Sequence, residues 1–194
     1  MADIRGTYEL GPGDGRVLVK TAREGLAAMA GHDLTIEITR WSARVTVPGA
    51  DAGGLAAATL TAELDLGSLA VREGTGGAKP LTDKDRRDIQ GQARKVLGDP
   101  AQATFTSSKA VPSSSGSPSG SGAIEGTLTL HGASRPLRLQ VTSAAPGQYR
   151  GGTTVRQTDF GIRPYSGFFG ALKIKDEVAV EFEVTIKEIP NESA

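Results

Sequence analysis

The clearest pattern in the chain lies near its C-terminus, where Val178, Val180, Phe182, Val184 and Ile186 alternate with Ala179, Glu181, Glu183, Thr185 and Lys187. Successive strand side chains point to opposite faces, so this period of two predicts a strand with one apolar face. The same alternation recurs upstream. Leu60, Ala62, Leu64 and Leu66 form an inward row against Thr61, Glu63 and Asp65, with the strand end marked by Gly67-Ser68. Leu34, Ile36 and Ile38 share a face, and the pattern continues past Trp41 to Ala43, Val45 and Val47, which predicts one long or bent strand. Val17-Leu18-Val19 reads as a short run buried on both sides. Residues 126–136, Gly-Thr-Leu-Thr-Leu-His-Gly-Ala-Ser-Arg-Pro, end one strand in a small-residue turn and lead into Leu137-Arg138-Leu139-Gln140-Val141. Gly132 supplies the positive φ such a hairpin turn needs, and Pro136, lacking an N–H, belongs near a strand end or edge.

Adding strands over 103–108, 124–130, 136–142 and 149–159 brings the total to roughly eight, the number at which a closed barrel either fills with side chains or holds one small ligand. Closure also removes exposed edges, although a two-sheet sandwich satisfies the same alternation. One helix interrupts the strands. Thr82 is its N-cap, Asp83 and Asp85 lie in its first turn, and Gly98 and Pro100 end it. Ile89, Ala93, Val96 and Leu97 recur on one face of this helix, at about 83–97, while Asp83, Arg86, Arg87 and Lys95 face water. Residues 72–80 read as a glycine-rich loop. Residues 112–122, almost wholly serine, glycine and proline, read as a disordered hairpin loop inside a single domain spanning 1–194.

The 22 Lys and Arg residues balance 22 Asp and Glu residues, so no net field gathers nucleic acid or an anionic membrane, and no nucleic-acid partner is expected. The absence of cysteine excludes disulfides, thiolate zinc sites, iron–sulfur clusters and a cysteine nucleophile. No apolar run is long enough for a membrane-spanning helix, and the N-terminus has no basic segment followed by an apolar one; both point to a cytoplasmic protein. Of the two histidines, His32 and His131, neither sits in a metal-ligand or nucleophile-elbow pattern, and both are read chiefly as turn residues satisfying backbone groups. The 74–80 loop lacks the Gly-Lys-Ser/Thr ending of a phosphate cradle, and Asp159-Phe160-Gly161 matches a kinase motif only by letter. The segment Pro164-Tyr165-Ser166-Gly167-Phe168-Phe169-Gly170-Ala171-Leu172 gathers three of the few aromatic residues and reads as a plug completing the core or as a lid over a cavity.

Several of these segments, in this order, resemble the YceI-like family. They are Gly6-Thr7-Tyr8-Glu9-Leu10, Leu64-Asp65-Leu66-Gly67-Ser68-Leu69, Pro100-Ala101-Gln102-Ala103-Thr104-Phe105-Thr106-Ser107, the 126–136 hairpin, Thr158-Asp159-Phe160-Gly161-Ile162 and the closing strand from Asp176. The resemblance implies an all-β fold, a lipocalin-like antiparallel barrel of about eight strands with one helix. It further implies an elongated apolar pocket that in some members holds a polyisoprenoid or similar amphiphile.

The expected function is therefore non-enzymatic binding of a long apolar or amphiphilic small molecule in the lumen, with no cofactor besides such a lipid. Its wall would be Leu64, Phe105, Leu128, Leu139, Phe160, Phe168 and Phe182, and its mouth His131, Arg163 and Tyr165. Two other classes stay open: an enzyme acting on a hydrophobic small molecule with His32 or His131 as acid or base, and a filled barrel acting as an interaction module. A homodimer is compatible with each.

Overall fold

The computed structural model describes residues 5–99, 101–113 and 121–187, apart from the side chain of Phe168. The first part of the chain forms long strands, each bent at a corner into two halves. β1 (Gly6–Leu10) continues through a turn at 11–14 into β2 (Gly15–Thr21), which is followed by the two-residue β3 (Arg23–Glu24). β4 (Asp33–Ile38) continues through Thr39 and Arg40 into β5 (Trp41–Val47), and β6 (Thr59–Asp65) continues through a 3-10 turn at Leu66–Ser68 into β7 (Leu69–Thr75). Helix α1 (Asp83–Leu97) follows, and then β8 (Gln102–Pro112), β9 (Gly122–Leu130), β10 (Ala133–Ala145) and β11 (Gln148–Arg156). After β12 (Ser166–Gly167) and β13 (Leu172–Ile174) comes the closing strand β14 (Glu177–Thr185).

Register shows how the eleven segments of the main sheet make an eight-stranded ring. β1 pairs with β5 from Gly6↔Val47 to Leu10↔Ala43, and β2 pairs with β4 from Val17↔Ile38 to Thr21↔Leu34, so the first two bent strands run antiparallel through their corners. The third does the same with the second, Trp41 opposing Leu64 below the corner and Ile38 opposing Leu69 above it. From β6 the sheet meanders through β8, β9, β10, β11 and β14, and β14 pairs back onto β2. The expected antiparallel barrel of about eight strands is thus present, counting each bent strand once.

The corner of the second and third bent strands is tied by one buried hydroxyl. Ser68 Oγ accepts from the Arg40 N–H at 2.9 Å and donates to the Asp65 carbonyl at 2.6 Å, while Thr39 Oγ1 donates to the Ser68 carbonyl at 2.8 Å. Outside, Arg40 and Asp65 form an ion pair at 2.6 Å. Asp65 has its pKa lowered from 3.8, chiefly by the hydrogen bond from Arg40. The Asp-Leu-Gly-Ser-Leu segment is therefore a corner and not a strand end, and the strand resumes through residues read as loop at 72–75.

Other differences have local causes. β8 runs to Pro112 because a bulge between Ser107 and Lys109 inserts one residue and shifts the inward parity from Ala103 and Phe105 to Ala110. The Ser107 hydroxyl accepts the Leu60 N–H across that bulge at 2.7 Å. β11 stops at Arg156, and Gln157–Phe160 is a 3-10 turn. Leu18 is not buried on both sides: it lies opposite Glu181 and Glu37, on the outer face, while Val17 and Val19 face in. Pro136 sits where β10 overhangs β11, since their pairing begins only at Gln140. The β9–β10 hairpin closes on His131 and Gly132, both at positive φ (50° and 76°), the arrangement of a type I′ turn. The loop expected at 112–122 lies mostly outside the described residues, but Pro112 and Gly122 at its ends are in strands.

α1 is the predicted helix, with a full capping box: Thr82 Oγ1 accepts the Asp85 N–H, and the Asp85 carboxylate accepts the Thr82 N–H. It packs against β7 and the adjoining corner, where Arg94 Nε donates to the Gly67 carbonyl at 3.0 Å. β3, β12 and β13 form a separate small sheet.

Candidate functional site

The inward rows of the eight strands enclose a cavity of about 1020 Å³. Leu60, Ala62, Leu64, Leu137, Leu139, Val141, Val180 and Phe182 all face inward, yet each is only half-buried. In a filled barrel such residues are among the most deeply buried, so their partial accessibility measures the emptiness of the lumen. The wall is apolar nearly throughout. At one end it is completed by Ile89, Ala93, Val96 and Leu97 of α1, and at the other by Leu55, Pro112 and Ser121. No residue of α1 is buried: Ile89, Ala93, Val96 and Leu97 pack against the edges of the two core clusters while also facing this space.

Two features let the barrel carry large side chains without filling. Gly151 of β11 lies opposite Phe182, where a Cβ would collide with the Gln140 carbonyl and sit 2.8 Å from the Phe182 ring. Gly126 of β9 likewise leaves room for the Phe105 ring, 2.6 Å from where its Cβ would be. Both rings thus reach space over bare backbone that a side chain would otherwise fill. Two packed clusters flank the void. One is built on Tyr8, Leu10, Leu34, Ile36, Ile38, Trp41, Leu69 and Val71, the other on Ala103, Phe105, Leu128, Val155, Phe160 and Ile162.

Of the residues expected at the site, Leu64, Phe105, Leu128, Leu139, Phe182 and Tyr165 line the cavity. Phe160 is buried in the second cluster, behind the wall. His131 and Arg163 are exposed and outside the lining; His131 Nδ1 lies 3.2 Å from the Phe160 carbonyl oxygen. The side chain of Phe168 lies outside the described residues. Phe169 does not plug the core but stands fully exposed at φ 54°. His32 does reach the lining, near the α1 end, with Nε2 2.7 Å from the Lys79 carbonyl oxygen.

Sparse polar groups mark the two ends. Beside His32 lie Thr21, whose buried Oγ1 has no hydrogen-bond partner, and Asp85, Asp88 and Gln92 on α1. At the far end Tyr149 enters the wall, its pKa raised by desolvation and then by the neighbouring Tyr8. Trp41 and Tyr149, neither singled out in the sequence, share the lining; alternation along β5 and β11 is the signal that places them inward. Among the described residues no group of three or more histidine, aspartate or glutamate side chains is placed to hold a metal ion, and no helix is long and apolar enough to cross a membrane.

Comparison with solved structures finds matches at low identity. BcnA of Burkholderia cenocepacia aligns at a TM-score of 0.57 and 20% identity, covering 88% of this chain and 96% of that one. A polyisoprenoid binding domain from Saccharophagus degradans implicated in plant cell wall breakdown aligns at 0.48 and 14%, covering 89% and 98%. The YCEI protein of Campylobacter jejuni aligns at 0.48 and 16%, covering 79% and 85%. No curated protein sequence matches the chain. The model of the YceI-like domain matches residues 19–186, from β2 to just past β14, and the chain belongs to the YceI-like domain family.

Proposed function

We propose that this protein binds a long apolar or amphiphilic small molecule, of isoprenoid type, in the barrel lumen and performs no chemistry on it. The observation that carries the reading is the cavity of about 1020 Å³ behind an almost wholly apolar wall. At ~30 Å³ per water-sized group, that volume accepts a chain of roughly thirty heavy atoms. An apolar ligand of this size, at ~0.3 kcal/mol per heavy atom, reaches about −9 kcal/mol, a dissociation constant of roughly a few hundred nanomolar. No specific polar contact is needed for that affinity. A polar head group fits best at the α1 end, where the unpartnered Thr21 hydroxyl, His32 and Tyr165 converge on the lining. There His32 acts as a lining residue whose ring is anchored to a backbone carbonyl.

Native mass spectrometry of the purified chain, followed by solvent extraction, tests the reading. The expected result is an added mass that extracts as a lipid, or uptake of a polyprenol by the delipidated protein. A bare mass with no uptake of polyprenol or of an apolar fluorophore rejects it.

A further inference from the structure

The exposed apolar side chains of this protein are gathered at one end of the barrel. Leu26, Met29 and Phe169 are the large hydrophobic residues most exposed to solvent among those described, and Tyr165, beside them in the fold, is the fourth. They lie on two loops tied together, the Ala27 N–H donating to the Ala171 carbonyl at 2.9 Å; the 76–80 loop joins them through the Ala78 N–H and the Met29 carbonyl at 3.1 Å. The residues next to them, Ala30, Gly31, Ala78, Leu172 and Tyr165, line the cavity. The patch is thus the outer rim of the lumen's α1 end.

Phe169 sharpens the point. It holds φ 54° and ψ 33°, a left-handed conformation that is costly for a bulky aromatic residue, and its side chain gains no contact in return. Strain that projects an apolar ring into solvent needs a partner outside the fold. Charge indicates which one. Lys79, Lys173 and Lys175 are exposed on the segments that carry or adjoin the patch, and none makes an ion pair among the described residues, although Glu24 stands in register with Lys173; the Arg23 guanidinium is taken up by the Gly31 and Thr75 carbonyls. On the barrel wall, by contrast, Arg16–Glu183, Lys20–Glu181, Arg44–Glu9, Arg72–Glu37 and Arg138–Glu125 pair off laterally. At this end Asp85 is engaged by Thr82 and Asp88 by Lys84, so the charges left without an ion pair beside the hydrophobic tips are Lys79, Lys173 and Lys175 against Glu24.

The geometry points to this rim as a docking face for an anionic lipid bilayer, with Leu26, Met29 and Phe169 entering the headgroup region and Lys79, Lys173 and Lys175 meeting lipid phosphates. As the route by which the lumen is loaded, the face rests on the binding reading above; as a membrane contact it does not.

The test is flotation of the full chain with vesicles of phosphatidylcholine, with and without phosphatidylglycerol. The wild-type protein floats with the phosphatidylglycerol vesicles. Phe169→Gly lowers partitioning about tenfold, as expected for withdrawing one aromatic side chain from the interface. It leaves the melting temperature unchanged or higher, because glycine adopts the positive φ without strain. Lys173→Ser with Lys175→Ser lowers partitioning onto phosphatidylglycerol vesicles about tenfold or more and leaves the phosphatidylcholine control unchanged. Wild-type partitioning no greater than that of Phe169→Gly overturns the proposal. So does concentration-dependent self-association, by sedimentation velocity, that Phe169→Gly abolishes, since the patch would then meet a second copy of the chain. A protein that floats but takes up no polyprenol keeps the docking face and rejects the binding reading, so the two fail separately.

Discussion

Ala62→Phe separates an empty lumen from a filled one. Ala62 lies in the inward row of β6, opposite Phe105 on β8 and Ala43 on β5, and lines the cavity. The substitution adds roughly six heavy atoms to space a ligand would occupy; at ~0.3 kcal/mol per displaced ligand atom, affinity falls by about 2 kcal/mol, close to twentyfold. Stability moves differently. Forcing a phenyl ring into a packed core costs about 1–3 kcal/mol, and for a chain of this length each kcal/mol shifts the melting temperature by about 2–4 °C. Entering an open apolar cavity carries no such penalty. The assay has two parts: thermal unfolding of the delipidated protein, and displacement of an apolar naphthylamine fluorophore by a polyprenol. The expected result is an unchanged or higher melting temperature together with weakened competition. A melting temperature lowered by several degrees shows that the lumen is packed, and undiminished affinity shows that the ligand lies elsewhere; either result refutes the reasoning.

Three further outcomes are expected. Gly151→Val drives a side chain into the Gln140 carbonyl and the Phe182 ring, and should cost about 1–3 kcal/mol or prevent folding, measured by urea denaturation. Ser68→Ala leaves the Arg40 N–H without its acceptor at the strand corner and should cost about 1–3 kcal/mol, whereas an exposed control, Ser42→Ala, should change little; equal effects refute the role given to the corner. Asp65, Asp85 and Asp176 have pKa values lowered from 3.8, first by hydrogen bonds from Arg40, the Thr82 hydroxyl and the Thr158 hydroxyl respectively. Their folded-state pKa values lie below the unfolded ones, so they stabilise the fold above the unfolded pKa, and that contribution disappears as pH falls through the folded values. Melting temperature should drop below about pH 4, and Asp176→Asn should flatten the drop; a curve parallel to wild type over that range contradicts the assignment.

The inward rows of β4, β5, β6, β9 and β14, and of β10 as far as its bulge after Ser143, are legible because each keeps one parity over that length. The sequence shows only the first half of β8, because its parity changes at the Ser107–Lys109 bulge, which no alternation template follows. β7 was hidden by a corner whose Gly67-Ser68 looks like any strand terminus. Strands of two or three residues such as β3, β12 and β13 carry too few positions to show a period. At the site, Leu64, Phe105, Leu128, Leu139 and Phe182 could be named because facing inward is a property of alternation. Phe160 could not be told from them: it follows β11 in a 3-10 turn and is buried behind the wall. His131 could not be placed either, since whether a hairpin tip bends over a mouth or away from it depends on three-dimensional closure. The void itself leaves no trace in sequence, as an inward leucine reads the same against a neighbour or against empty space.

The half-solvated inner face of α1 couples the helix to whatever the lumen contains. Besides its cap and its contacts with β7, α1 is held by Ile89, Ala93, Val96 and Leu97 at the edges of the two clusters, with no fully buried residue of its own, so it should exchange its amide hydrogens sooner than the strands below it. An apolar occupant supplies the missing contacts, and by linkage the free energy it lends to keeping α1 in place equals the free energy α1 lends to retaining it. Cargo and closure thus form one equilibrium, in which emptying the barrel and loosening its end are the same event.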